Sequence, residues 1–557
     1  MKLRLLTRAP LGTRIPLIAS LSFVTLLALC SDIQAARTER LVDTWQPRHY
    51  DLSIALSDGL TEITSARAEI EVVALKTLSL IDLDFGELTT DRVTLNSRPV
   101  SFEHKDGKLL IKLTQAVNPG TTLNVVVTYH GKPKDGLILM ADKDGKPAAV
   151  GDNWPNRVHQ WIPTLDHPSA KASVTFNISA PGNNTVVANG SLDQVVTNAN
   201  GSRVWTFTEE SPIPPYCMII GVGQFTRLES TQAALTQLSY YVPQSDSSFA
   251  LKGFSPAAPV LQFLSQTVGP YPYEKLALIV GNTRFGGMEN SGAIVFTSSL
   301  FNPNPAARLS EKYGIPNGTV QVVAHEIAHQ WFGDSVTEST WSDLWLSEGF
   351  ATYFAGLFIQ RYEGEVAFQS YMKQAAETTF AYEKKTRTPI FDRDTEDLSK
   401  LLNPNNYQKG SWVLHMLRSS LGDAAFFRGI QNYYQAHKNS NASTDDLRAA
   451  LEKTSGKDLK EFFDRWIYES GHPQYELSTS WDARSGNAML TLKQLQPGKP
   501  FLDAVPIKIV SGTNVVNVTI TPNGPTSTKV QKLKAKPSSI EIDPNNTLLK
   551  EAVVNLQ

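Results

Sequence analysis

Val323-Ala324-His325-Glu326-Ile327-Ala328-His329-Gln330-Trp331 is followed, with eighteen residues between His329 and Glu348, by Leu344-Trp345-Leu346-Ser347-Glu348-Gly349-Phe350. Residues four apart share one face of a helix, so a helix over 319–332 presents the His325 and His329 imidazoles to a single point. Neutral imidazole is a good ligand for zinc, and Glu326 stands beside that point. A second helix over 344–362, joined by a short connection at 333–341, packs antiparallel to the first and brings Glu348 to the same place. Two histidines and one carboxylate leave a fourth position open, the pattern of a catalytic rather than a structural zinc. One Zn2+ per chain is expected, with Glu326 as the base for a metal-bound water whose pKa falls to about 7. Metal-assisted hydrolysis of a peptide or ester bond is the chemistry this pattern supports.

Outward from this centre, the apolar pattern divides the chain. From 42 to 225 it has period two: Tyr50, Leu52, Ile54 and Leu56 alternate with polar or small residues, as do Val174, Phe176 and Ile178. Turns at Asp106-Gly107, Pro119-Gly120 and Asn189-Gly190 separate such runs, which predicts an antiparallel all-β domain. From 226 to 470 the period shifts towards 3.6, with helices expected at 257–267, 365–383, 408–421 and 424–437 and a capped one from Ser443. From 471 to 557 alternation returns at Tyr475-Leu477-Thr479-Trp481 and Val516-Val518-Ile520, which predicts a small C-terminal β-sandwich.

Lys+Arg 52 against Asp+Glu 54 in 557 residues gives a net charge of −2, which excludes a polybasic nucleic-acid binder. The first 35 residues read as a signal peptide. Lys2, Arg4, Arg8 and Arg14 precede an apolar run of sixteen residues ending at Cys30, too short for a bilayer span, and small residues allow cleavage after Ala35. Lipidation at Cys30, in Leu27-Ala28-Leu29-Cys30, ranks second because Leu29 is bulky where a small residue is wanted. Removing 1–35 subtracts four basic groups and Asp32, so the mature charge becomes −5 and Cys217 is left as a lone thiol. No other stretch has spanning length, so no transmembrane span is expected in the mature chain, and a periplasmic or extracellular location follows.

Upstream of the metal helix lies Phe285-Gly286-Gly287-Met288-Glu289-Asn290-Ser291-Gly292. With His325-Glu326-x-x-His329 and Glu348, this stretch resembles the gluzincin aminopeptidase family of aminopeptidase N and leukotriene hydrolase. The resemblance implies a multidomain α+β protein: an antiparallel β domain, a thermolysin-like, mostly helical zinc catalytic domain and the short sandwich. It implies peptide substrates with a free N-terminus, whose amine is held by Glu289 while Gly286, Gly287 and Met288, continued by Asn290, offer a strand edge. Tyr407-Gln408-Lys409-Gly410 resembles the family's Tyr-x-Lys-Gly stretch, which implies that Tyr407 donates a hydrogen bond to the oxyanion. Trp161-Ile162-Pro163-Thr164-Leu165-Asp166-His167-Pro168 and Gly471-His472-Pro473 extend the likeness over most of the chain. Thr164 and Ser347 depart from it, standing where the family often has Cys and usually has Asn. Counting back from Asp166 to the β-domain residue that completes the amine pocket lands on Trp154, beside Asp152 and Asn153, and leaves first-residue specificity open. Epoxide hydrolysis, endopeptidase activity and a zinc-stabilised binding protein are the alternatives. The first lacks the family's large C-terminal helical domain, Glu289 argues against the second, and Glu326 and Tyr407 have no use in the third.

Overall fold

The computed structural model describes residues 37–230, 236–301 and 307–556; the expected leader, with Cys30 and Ala35, lies outside them. Alternation does its predicted work in the first half. Tyr50, Leu52 and Ile54 are buried on one face of Trp45–Leu56 while their neighbours stay half-exposed. That strand lies inside an eight-stranded sheet, between Ala172–Ala180 and Ile63–Ala74. One pairing departs from the antiparallel expectation: Trp45–Leu56 runs parallel to Ala172–Ala180, with Leu52 opposite Phe176. Alternation marks the buried face of a strand and carries no information about its neighbour's direction.

A smaller sheet of Gly136–Leu139, Ala148–Asp152, Ile220–Gly223 and Thr185–Ala188 joins this half to the next. Val150, Val187 and Ile219 from this region pack in one cluster with Ile279, Met288, Val295 and Trp341. A shared core of this kind fixes the β domain against the segment that carries Glu289.

The second half holds a five-stranded mixed sheet that helical periodicity did not reveal, in the order Thr226–Glu229, Gln237–Val242, Lys275–Gly281, Ala293–Thr297 and Gly287–Met288. The two-residue strand Gly287–Met288 forms its edge. Around the sheet lie α1 (Ser247–Gly253), α2 (Ala257–Thr267), α3 (Asn317–His329), α4 (Trp345–Glu363), α5 (Glu365–Glu383), α6 (Gly410–Leu421), α7 (Asp423–His437), α8 (Thr444–Ser455) and α9 (Lys460–Trp466). Trp345 through Ile359 of α4 are all buried, so this helix is covered around its circumference and runs through the core. Gly364, at φ 91°, ends α4 and turns the chain into α5. Ser443 caps α8 through a reciprocal pair of hydrogen bonds with Asp446, as the sequence predicts.

The last segment forms two facing sheets. Gln474–Asp482 and Asn487–Gln494 lie in a four-stranded one, and Val505–Ser511 centres a three-stranded one. No helix of the described residues is long and apolar enough to cross a membrane.

Candidate active site

The metal triad forms because α3 and α4 bring their facing ends together. His325 and His329 lie on one face at the end of α3, and Glu348 sits in the first turn of α4. The connection is more structured than a short loop. It contains Val336–Glu338, which pairs in parallel with Ser440–Ala442, and a 3-10 turn at Trp341–Asp343. Lys171 of the β domain donates to the carbonyls of Asp334 and Ser335, both at 2.8 Å, and Tyr216 Oη donates to Gly333 O at 3.1 Å. The β domain therefore holds the segment that sets Glu348 against the histidines.

The three side chains make a compact triangle. His325 Nε2 and His329 Nε2 are 3.0 Å apart, and Glu348 Oε2 lies 3.2 and 3.3 Å from them. Ligand atoms at about 2.0–2.1 Å from a tetrahedral zinc stand about 3.3 Å from one another, so the triangle has the size of one face of such a site. Glu348 Oε2 is buried and has no hydrogen-bond partner. A buried, unpaired carboxylate oxygen facing two imidazole nitrogens is the arrangement a cation would complete. The far side of His329 is also held: its Nδ1 has the Phe332 carbonyl at 3.1 Å as an acceptor, which favours a proton on Nδ1 and so Nε2 as the atom offered to a metal. Ser347 Oγ approaches the same Nδ1 at 3.0 Å, so the serine that departs from the family pattern still touches the ligand's far side.

Glu326 and Glu289 flank the triangle. Glu289, Glu326 and His329 each offer an atom within 4.8 Å of the other two. Burial raises the carboxyl of Glu326 well above the usual range, with Glu289 and Glu348 adding to the effect and His329 opposing it. Glu289 is pushed up to about 6, by burial first, against His329 and with the help of Glu348 and Asp152. Burial disfavours the cation of His329, but Glu348 and Glu289 outweigh it and raise its pKa. Three carboxylates facing two imidazoles in a closed space leave negative charge in excess, which a divalent metal at the triangle would offset.

Tyr407 lies in a π-helical turn, Asn405–Lys409, just before α6, where the sequence predicts ordinary helix from 408. Such turns re-aim side chains within a helical run. Its ring stacks on His325 at a centroid distance of 5.9 Å. Burial raises the Tyr407 pKa far above its ordinary value and Glu348 adds to it, so the hydroxyl keeps its proton. The turn is fixed from below, where Lys409 Nζ donates to Glu383 Oε1 at 2.7 Å and to Gly471 O at 2.9 Å.

One cleft of about 330 Å³ gathers Gly286, Gly287, Met288, Glu289, His325, Glu326, His329, Glu348 and Tyr407. Asn290 is different. It is fully buried behind the edge, its amide donating to Met288 O at 3.3 Å, and it does not line the cleft. A β-carbon on Gly287 would overlap the Glu326 carboxyl, so a larger residue there has to displace that side chain. Trp154, Phe285, Val322 and Leu402 complete the lining with apolar surface, Trp154 arriving from the β domain. Sequence reasoning missed Gln330, which ties the two motifs together. Its amide donates to Glu289 O at 2.7 Å and its carbonyl accepts from Gly292 N at 2.8 Å. The only signal was its place directly after His329.

Residues 254–466 match the peptidase family M1 domain, and residues 46–217 match the peptidase M1 N-terminal domain. The chain belongs to the M1 peptidase family. Its M1 relatives include a probable aminopeptidase 1 from Saccharolobus solfataricus, 27% identical over 70% of this chain and 50% of the relative. The tricorn protease-interacting factor F2 of Thermoplasma acidophilum is 27% identical over 76% of this chain and 52% of the relative. The glutamyl aminopeptidase of Rattus norvegicus is 25% identical over 86% and 53%. The chain thus spans about half the length of the curated M1 relatives it matches.

Proposed function

We propose that this M1 chain is an exported zinc-dependent aminopeptidase that removes N-terminal residues from peptides. The observation that carries the reading is the placement of Glu289 and Glu326 against His329, on the rim of the His325, His329 and Glu348 triangle. His325, His329 and Glu348 would hold the metal. When bound there, zinc polarises a scissile carbonyl and makes water a better nucleophile at neutral pH.

The chain's own groups do the rest. Glu289 accepts the substrate's ammonium, one residue from the scissile bond. A blocked terminus leaves that buried carboxylate without its partner, which selects for a free amine. The Gly287–Met288 strand lies at the edge of its sheet, where an extended peptide can pair with it. Glu326 takes a proton from the attacking water and passes it to the departing amine, so the new carboxyl keeps the oxygen and the leaving chain gains the hydrogen. Tyr407, which retains its proton, donates to the carbonyl oxygen as negative charge develops there.

Export is inferred from the basic, apolar and small-residue order of the leader, and cleavage after Ala35 is favoured over lipidation at Cys30. The intact mass of the mature protein distinguishes the two. The enzymatic reading is tested by measuring zinc content and aminoacyl-amide hydrolysis on one sample. About one zinc per chain, with hydrolysis lost to a chelator and restored by zinc, supports it. Bound zinc without hydrolysis would assign the metal to folding.

A further inference from the structure

Beside the catalytic cleft lies a second groove of about 460 Å³, which borders the stretch Gly281 to Arg284 and the residues Thr297 and Ser298. Its charged lining is Lys132, Lys134, Arg284 and Asp135. Asp135 is engaged by Arg157 and Arg284, each at 2.7 Å. Lys134 pairs with Glu87 across open solvent, an interaction that exchanges easily, and Arg284 remains about half exposed. The groove is therefore net positive, whereas the catalytic cleft beside it is rich in carboxylates.

The edge strand links the two. Gly287 and Met288 pair antiparallel with Phe296 and Val295, and Thr297 N–H donates to Gly286 O at 3.2 Å. Going back along the chain from Glu289, the strand ends at Gly287 and a bend over 284–286 carries the backbone to Arg284, at the groove. A peptide with its amine at Glu289 that pairs along this edge runs opposite to the strand. It advances by roughly 3.3 Å per residue, one residue for each residue of the chain, so its sixth residue comes level with Arg284.

We propose that Lys132, Lys134 and Arg284 form an anion subsite for the carboxylate carried by the sixth residue of a bound peptide. The proposal rests on the aminopeptidase reading. It adds that the site is polarised along its length, with acid at the amine end and base downstream, matched to short zwitterionic peptides. The carboxylate has two sources, the C-terminus of a hexapeptide or an acidic side chain at that position in a longer one.

The test uses the zinc-loaded full chain and starts from hydrolysis of a simple aminoacyl amide. Absence of that activity sinks the aminopeptidase reading and the subsite with it. Given that activity, kcat/KM is compared for a hexapeptide as free acid and as C-terminal amide, and for an amidated heptapeptide with Glu or Gln at position six. A preference of about three- to tenfold for either acidic form is expected, carried by KM and shrinking with added salt. The first pair isolates the terminal carboxylate and the second the side chain. In the Lys132→Ala/Lys134→Ala double variant the acid-to-amide ratio should fall towards one. Equal kcat/KM for acidic and neutral forms at low salt in the wild-type chain would overturn the subsite while leaving the aminopeptidase standing. The salt dependence decides the matter in the same way if the variant does not fold.

Discussion

Tyr407 Oη donates a 2.6 Å hydrogen bond to Glu348 Oε1, so the hydroxyl assigned to the substrate's oxyanion is held by the carboxylate of the metal triad. A carbonyl oxygen entering the cleft competes with Glu348 for this donor as its charge grows. Tyr407→Phe should therefore lower kcat by about 10²–10³ and change KM little, because the lost bond matters most in the transition state. Zinc content should stay near that of the wild type. A loss confined to KM would place Tyr407 in ground-state binding instead.

The position of Tyr407 depends on two glycines. A β-carbon on Gly349 would come within 3.0 Å of the Gly410 Cα, and one on Gly410 within 3.1 Å of the Gly349 Cα. Helical Gly→Ala ordinarily gains up to about 1 kcal/mol. Here backbone meets backbone and neither can yield, so overpacking of about 1–3 kcal/mol should win. Both Gly349→Ala and Gly410→Ala should lower the unfolding temperature and reduce turnover, since α4 and the Tyr407 turn are pushed apart. An alanine at either position that raises the unfolding temperature would show that the contact is looser than described.

Glu289→Ala removes the amine's partner without touching the triad. KM for unblocked aminoacyl amides should rise by more than tenfold, with a smaller effect on kcat, and zinc should remain bound. Steady-state kinetics at saturating zinc make this comparison.

Acid stability has an identifiable source beneath the Tyr407 turn. Burial alone would raise the Glu383 carboxyl, yet His472 and Lys409 together hold it down at about 2, from 4.5. A depressed carboxyl contributes fully above its unfolded value and loses that contribution as pH falls through 4.5 towards 2, here about 3 kcal/mol. The unfolding temperature of the wild type should therefore fall steeply between about pH 4.5 and 2.5. Glu383→Gln should start lower and show a shallower slope in that window, which thermal scans across the range measure.

The residues of the proposed metal site were legible because their spacing is local. His325, Glu326 and His329 need only helix geometry, and the helices at 257–267 and 365–383 fall where periodicity put them. The central strand Lys275–Gly281 was not legible. Leu276 through Val280 are buried on both faces, so they form one continuous apolar run with no period to detect. Contacts between distant segments were also hidden: Trp154 entering the cleft from the β domain, Lys171 holding the metal loop, and Gly349 against Gly410. No local pattern announces these, because each depends on how separate elements pack. Gly287 is the intermediate case. Its sequence marked an edge, but not that a β-carbon there would press on the Glu326 carboxyl behind it.

The most direct test compares kcat/KM of the zinc-loaded chain for one aminoacyl amide with a free amine and for the same amide N-acetylated. With Glu289 as the amine's partner, the free form should be hydrolysed at least a hundredfold more efficiently, and a chelator should abolish it. Equal hydrolysis of the blocked and free forms would contradict the account, because the cleft would then be cutting without reading the N-terminus.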